Sequence, residues 1–197
     1  MTVLDCCSAP GGKATHIAEK MNNEGLLCAT DLHEKKIQLV EKKAKELNLS
    51  IIKTEAYDAR KLQEIYEPAT FDRIAVDAPC TGLGVVRGKP DIKYSKTLND
   101  VMSLSKIQRD ILDHVAPLLK VGGKLIYSTC TVDRAENEEV VEQFLNKHQE
   151  YSVDSEFIQD LPKPLQGSIG QSQFGLQIFP QTFNTDGFFF VRFVKND

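Results

Sequence analysis

The stretch that most constrains this chain is its opening, Val3-Leu4-Asp5-Cys6-Cys7-Ser8-Ala9-Pro10-Gly11-Gly12-Lys13. An apolar run stops on an acid, passes through small residues and a proline, and reaches two glycines. A helical pattern then begins, with Ala14, Ile17, Ala18 and Met21 at i, i+3, i+4, i+7 spacing. This is the grammar of a buried strand, a tight turn, and a helix whose first N–H groups face a ligand. A strand of this kind needs neighbours to bury it, so the rest of the chain is expected to supply a sheet.

It supplies one by alternation. Strands are expected over residues 2–6, 26–30, 51–54, 71–76 and 124–127, with a weak one at 151–153. The last, 188–194, is apolar on both faces as a central strand would be. Helices are expected over 12–22, 33–47, 105–119 and 135–148. The second turns Ile37, Val40, Ala44 and Leu47 inward, the third carries Pro117 near its end, and Asp133 is placed to cap the fourth. Residues 55–58 read as a loop, Gly122-Gly123 as a turn, 81–104 as a long irregular segment, and 154–185 as loop. The pattern predicts one α/β domain over 1–197. It has an open parallel sheet covered on both faces, with a ligand crevice at the carboxyl ends of its strands.

Composition narrows the class. With 197 residues, 41% hydrophobic and 26% charged, the chain is long enough to bury a core and ordinary for a globular domain. No apolar run approaches the ~20 residues of a membrane span, so no membrane partner is expected. Five cysteines, an odd number without C-x-x-C spacing, point to a reducing cytoplasm rather than a disulfide framework. His16, His33, His114 and His148 have no metal-ligand spacing, and no metal is expected. The net charge of −4 argues against a stand-alone nucleic-acid binder. Residues 81–96 nevertheless carry Arg87, Lys89, Lys93 and Lys96 against Asp91 alone, a local charge of +3.

The chemistry-bearing residues gather at the expected strand ends: Ser8–Lys13, Asp31, Asp58, Asp77–Cys80 and Thr129-Cys130. The glycine turn is neither a P-loop, since Lys13 is followed by Ala14, nor a G-x-G-x-x-G dinucleotide fingerprint. Asp31, ending the second strand, is placed to accept ribose hydroxyls. An adenosine cofactor without pyrophosphate therefore fits better than NAD or ATP. Asp58 is either on the adenine side of that site or a loop aspartate capping a turn. Lys13 either neutralises a carboxylate or begins a solvated helix face. Cys6, Cys7 and Cys28 read as small buried apolar residues.

Three motifs in order, Asp5-Cys6-Cys7-Ser8-Ala9-Pro10-Gly11-Gly12-Lys13, Asp77-Ala78-Pro79-Cys80 and Ser128-Thr129-Cys130-Thr131, resemble the Nop/Sun family of RNA cytosine-5 methyltransferases. The run from Gly84 to Lys93 and the closing Asp186-Gly187-Phe188-Phe189 further resemble its bacterial small-subunit rRNA members of the Sun/Fmu type. The resemblance implies a Rossmann-like methyltransferase fold, mostly parallel with an antiparallel C-terminal strand and helices on both faces. It implies S-adenosylmethionine held by Cys7, Ser8, Ala9, Pro10, Gly11, Gly12 and Lys13, with Asp31 on the ribose, Asp58 near the adenine, and Asp77 beside the methionine end and the base. It implies RNA, small-subunit rRNA, as substrate, with Cys130 as nucleophile and Cys80 assisting product release. A Pro-Cys nucleophile, as in DNA cytosine-5 methyltransferases, would nominate Cys80 instead; the Thr-Cys motif favours Cys130. The family's upstream region, which includes an RNA-binding domain in the Sun type, has no counterpart ahead of the first strand. The chain is therefore expected to be the catalytic domain alone, weakly active or inactive on RNA. The alternatives are a methyltransferase of another substrate class and a non-catalytic S-adenosylmethionine-binding fragment.

Overall fold

The computed structural model describes residues 1–166 and 172–197. Its elements are β1 (Thr2–Asp5), α1 (Gly12–Lys20), β2 (Leu26–Asp31), α2 (Glu34–Glu46), β3 (Ile52–Ala56), β4 (Phe71–Asp77), α3 (Ile92–Ser95), α4 (Leu98–Val115), β5 (Leu119–Thr129), α5 (Glu138–Lys147), β6 (Tyr151–Val153), α6 (Lys163–Gln166), β7 (Leu176–Ile178), α7 (Pro180–Phe183) and β8 (Phe188–Lys195). The chain divides into two compact units: Met1–Asp77 with Ile111–Leu125 and Asp197, and Ala78–Asp110 with Ile126–Asn196.

In the first unit the strands run in the order β3-β2-β1-β4-β5. β1 pairs parallel with β2 (Val3 opposite Leu27) and with β4 (Leu4 opposite Ile74), and β2 pairs parallel with β3. Val3, Leu27, Ala29 and Ile51 pack with Ala14 and Ala18 of α1 and with Ile37 and Val40 of α2. The small residues on α1 let that helix sit close to the sheet.

In the second unit the end of β5 is followed by β8 and β6, with β7 added to β8. β8 pairs antiparallel with both β6 and β7. Phe189, Val191 and Phe193 point one way from β8 and are wholly buried. The expected architecture is thus the observed one, a mostly parallel sheet with an antiparallel C-terminal strand and helices around it.

Several boundaries differ from expectation, each for a visible reason. Leu47 is 49% exposed because α2 ends before it; Asn48 then turns the chain through a positive φ and Leu49 takes the buried place. Glu55 and Ala56 belong to β3, paired with Thr30 and Asp31, rather than to a loop. A short 3-10 turn over Ala59–Glu64 follows, unanticipated in the sequence.

The helix expected from residue 105 begins at Leu98. Thr97 and Asp100 cap it reciprocally: the Thr97 N–H and hydroxyl each donate to Asp100 Oδ2 at 2.7 Å, and the Asp100 N–H donates back to Thr97 Oγ1 at 3.3 Å. Pro117 lies beyond that helix, in a 3-10 turn over Ala116–Leu118.

Gly122-Gly123 does not precede a strand but bends β5 internally. Gly122 has φ 73°, and a Cβ on Gly123 would meet the Leu119 side chain at 2.7 Å. The Asp133 carboxylate accepts the Ala135 N–H at 2.9 Å, yet α5 starts only at Glu138, because Glu136 and Asn137 are committed to buried polar contacts. Of the stretch expected to be loop, α6, β7 and α7 occupy parts, and residues 167–171 lie outside the described residues. Among the described residues no helix is long and apolar enough to cross a membrane.

Candidate active site

The first unit brings the opening turn to the end of β2. Ser8 donates twice to the Thr30 carbonyl, from its N–H at 2.9 Å and its hydroxyl at 3.0 Å. The Gly11 N–H closes the turn on the Ser8 carbonyl at 2.8 Å, after the cis peptide between Ala9 and Pro10. Gly11 adopts φ 102°, and a Cβ there would lie 2.9 Å from the Val40 backbone, so the turn nests against α2 only with glycine. Gly12, the first residue of α1, has nothing within 4 Å of where a Cβ would stand. The first N–H groups of α1 have no acceptor within the helix.

Asp31 reaches back to this turn, accepting the Ala9 N–H at 3.2 Å through one oxygen and the His33 N–H at 3.3 Å through the other. Its carboxylate is thereby oriented before any ligand arrives. Asp58 is held differently. It caps the 3-10 turn, taking the Arg60 N–H at 2.9 Å and both ends of the Arg60 guanidinium at 3.0 and 2.6 Å. Those bonds to Arg60 hold its carboxyl below the usual range. The capping reading of Asp58 is what the contacts display.

Lys13 bridges the turn to the ends of β1 and β4. Its Nζ lies 2.8 Å from Asp5 Oδ1, 3.2 Å from the Cys7 carbonyl and 3.7 Å from Asp77 Oδ2. It is not a surface lysine beginning a solvated face. Burial acts to lower its pKa, but the Asp5 and Asp77 carboxylates outweigh that and hold the ammonium charged. Asp5, 0% exposed, is pushed up by burial against the opposing pull of Lys13. Asp5 was passed over in the sequence as a strand terminus; its signal was an acid closing an apolar run with a lysine eight positions on.

The second unit brings the two motif cysteines together. The Ala78 N–H donates to the Ser128 carbonyl at 2.9 Å, and Cys80 Sγ lies 3.2 Å from Cys130 Sγ, neither cysteine being in a disulfide. The bond to Cys130, and then burial, push the Cys80 thiol far above its ordinary range. Around the pair is a buried polar cluster of Thr81, Gln108, Thr131, Glu136 and Asn137, all under 2% exposed. Sequence reasoning missed its members Thr81, Gln108, Glu136 and Asn137; Thr81 follows the Cys80 motif directly, whereas Gln108 lies within α4 and Glu136 and Asn137 stand just ahead of α5, away from either cysteine.

Gly84 donates its N–H to the Cys130 carbonyl at 3.0 Å and accepts the Gly187 N–H at 2.7 Å. The closing Asp186-Gly187 motif is thus tied to the thiol turn. A Cβ on Gly84 would collide with the Gly187 carbonyl. Of the remaining cysteines, Cys6 and Cys28 are buried and Cys7 is partly exposed. Among the described residues no cluster of His, Cys, Asp and Glu is arranged to hold a metal.

The model of the 16S rRNA methyltransferase RsmB/F family matches residues 1–194. The chain belongs to that family. It is 49% identical over 194 residues to the probable ribosomal RNA small subunit methyltransferase B of Bacillus subtilis, covering 98% of this chain and 43% of that protein. Among solved structures it is similar to PH0851, at TM-score 0.91 and 33% identity over 98% of this chain and 42% of the other. It is also similar to NSun6 from Pyrococcus horikoshii with SFG, at TM-score 0.82 and 32% identity over all of this chain and 48% of the other. The chain spans less than half the length of the curated relatives it matches.

Proposed function

We propose that this chain carries the catalytic machinery of an S-adenosylmethionine-dependent RNA methyltransferase that modifies carbon 5 of a cytosine in small-subunit rRNA. The observation that carries the reading is the pair of motif thiols in contact at 3.2 Å. Family membership and the S-adenosylmethionine-type donor set of the opening turn support it. The turn fits the cofactor: a helix N-terminus suits a carboxylate, and the oriented Asp31 suits two ribose hydroxyls. Cys7, Ser8, Ala9, Pro10, Gly11, Gly12 and Lys13 would cradle it, with Asp31 at the ribose, Asp77 toward the methionine end, and Asp58 on the adenine side while it remains bound to Arg60. When bound, S-adenosylmethionine supplies an electrophilic methyl group.

The residues of this chain supply the rest. Carbon 5 of cytosine is a poor nucleophile, so the Cys130 thiolate first adds to carbon 6 and makes carbon 5 electron-rich. Asp77 in its acid form donates its proton to N3 as negative charge develops there and takes it back on elimination, with Lys13 3.7 Å from the carboxylate left behind. After methylation a base removes the carbon 5 proton, and elimination breaks the bond from carbon 6 to sulfur, restoring the Cys130 thiolate and freeing the methylated cytosine, with Cys80 assisting that release.

The contact supports this assignment of roles: a Cys80 thiol that donates to the Cys130 sulfur would favour a thiolate at Cys130. The run Asp77-Ala78-Pro79-Cys80 joins the two sets of residues within four positions of the chain. Carbon 6 is inaccessible in a stacked duplex, so the target base is single-stranded or flipped out. In this reading the basic residues Arg87, Lys89, Lys93 and Lys96 would meet the RNA backbone.

A 5-azacytidine-containing small-subunit rRNA fragment, offered to the full-length protein, tests the mechanism. Wild type is expected to form a denaturant-stable adduct, Cys130→Ala none, and Cys80→Ala an adduct that persists on ordinary cytosine RNA. An adduct that survives in Cys130→Ala sinks the mechanism. Calorimetry with S-adenosylhomocysteine tests the cofactor separately, since a folded chain that does not bind it removes that claim.

A further inference from the structure

Cys80 and Cys130 lie on different turns, and nothing covalent between the turns holds their sulfurs at 3.2 Å. What does so is polar and converges on one side chain. Glu136 is 0% exposed. Its Oε1 accepts the Thr81 N–H at 2.9 Å and the Gln108 Nε2–H at 3.0 Å, and its Oε2 accepts the Thr81 hydroxyl at 2.5 Å. The Gln108 amide also donates to the Pro79 carbonyl at 2.9 Å. Both chain neighbours of Cys80 are therefore tied, directly or through one amide, to the same carboxylate.

The link continues to the other thiol. Thr81 Oγ1 lies 3.1 Å from Thr131 Oγ1, and Thr131 follows Cys130. A carboxylate only accepts, so the Thr81 proton points at Glu136, and Thr131 must donate to Thr81. The direction of the whole hydroxyl relay is set by Glu136 acting as the acceptor. The Glu136 backbone is itself anchored, its carbonyl accepting the Tyr127 hydroxyl at 2.5 Å.

We propose that Glu136 is a positioning residue that fixes the separation of the Cys80 and Cys130 thiols and so controls how efficiently Cys80 completes release of the product. The assignment of a release step rests on the methyltransferase reading above; the positioning of the thiols does not. An amide at position 136 keeps the shape but presents N–H groups where Oε2 accepts. It then forces Thr81 to donate toward Thr131 and leaves the Thr131 proton without its acceptor. Thr131→Val removes the hydroxyl link while leaving Glu136 and its three donors intact.

The first experiment needs no RNA. Diamide takes two hydrogens from a dithiol, giving a disulfide and its own hydrazine, and peptide mass spectrometry follows closure of the Cys80–Cys130 bond in the folded chain. Closure is expected to slow by about tenfold in both Glu136→Gln and Thr131→Val, with alkylation of Cys7 unchanged as a check on the fold. Equal closure rates in folded variants overturn the proposal. Should Glu136→Gln not fold, Thr131→Val carries the same comparison.

The second experiment uses cytosine-containing rRNA fragment. Glu136→Gln is expected to form adduct within about twofold of the wild-type rate and then accumulate it, a partial copy of Cys80→Ala. Formation and release falling together would mean that Glu136 only stabilises the fold, and would also overturn the proposal. If the full-length wild type forms no adduct on the 5-azacytidine RNA, the methyltransferase reading falls, and the diamide comparison alone decides what Glu136 does.

Discussion

Cys80 has its thiol raised first by the sulfur of Cys130 and second by burial, and the two causes are separable. Removing the neighbour leaves only burial, so Cys130→Ala is expected to move the midpoint of Cys80 alkylation against pH downward. Iodoacetamide kinetics with peptide mapping measure this. An unmoved midpoint would show that burial alone protects Cys80. Lys13 makes a second prediction. Lys13→Met keeps the stem but leaves Asp5 buried without its counter-charge. Stability is expected to fall by about 3 kcal/mol or more at neutral pH and to recover in part as acid protonates Asp5, whose carboxyl is raised by burial. Thermal melts between pH 4 and 8 check the sign. The roles of these two residues were unequally legible. Cys80 announced itself through its motif, whereas Asp5 and Glu136 act through partners 8 and 55 positions away, and no local pattern encodes such pairings.

The opening turn shows how far periodicity and glycine grammar reach. The strand, the turn and the start of α1 were readable because small residues, proline and two glycines leave few alternatives. The beginning of α4 was not read, although Thr97 and Asp100 are a capping pair, because exposed Leu98 and Met102 interrupt the apolar stripe that periodicity relies on. The bend in β5 was read as a strand boundary, since two glycines look alike whether they separate strands or fold one strand back. Gly11→Ala tests the turn. The added Cβ meets the Val40 backbone at 2.9 Å on a residue whose φ is already left-handed, so α2 must shift. A loss of about 2–4 kcal/mol is expected, with S-adenosylhomocysteine affinity falling more than thermal stability alone explains. Gly12→Ala, with open space around its Cβ, is expected to fold normally and to weaken cofactor binding only. Parallel melts and calorimetry on the two variants separate packing from ligand approach.

Over the molecule as a whole, net charge −4 and a local +3 predict RNA binding that is focal and salt-sensitive. Affinity for single-stranded rRNA fragment is expected to fall with added salt. Replacing Arg87 and Lys93 with glutamine is expected to reduce the log–log slope by about 0.7 for each lost phosphate contact. Fluorescence anisotropy across a salt series reads it, and an unchanged slope would remove this segment from the RNA contact. The alternation of strands and helices made the sheet legible, while the division of the chain at Asp77 was not, because β5 and α4 contribute residues to both units without any break in composition. The strand order has one more effect. Each unit ends its part of the sheet on a strand unsuited to recruiting another: β3 alternates exposed Lys53 and Glu55 along its length, and β6 is three residues long. A charged edge and a stunted one resist edge-to-edge pairing between molecules. Concentrated solutions should therefore stay free of fibrillar association, and a Lys53→Val, Glu55→Val double variant should lose that protection.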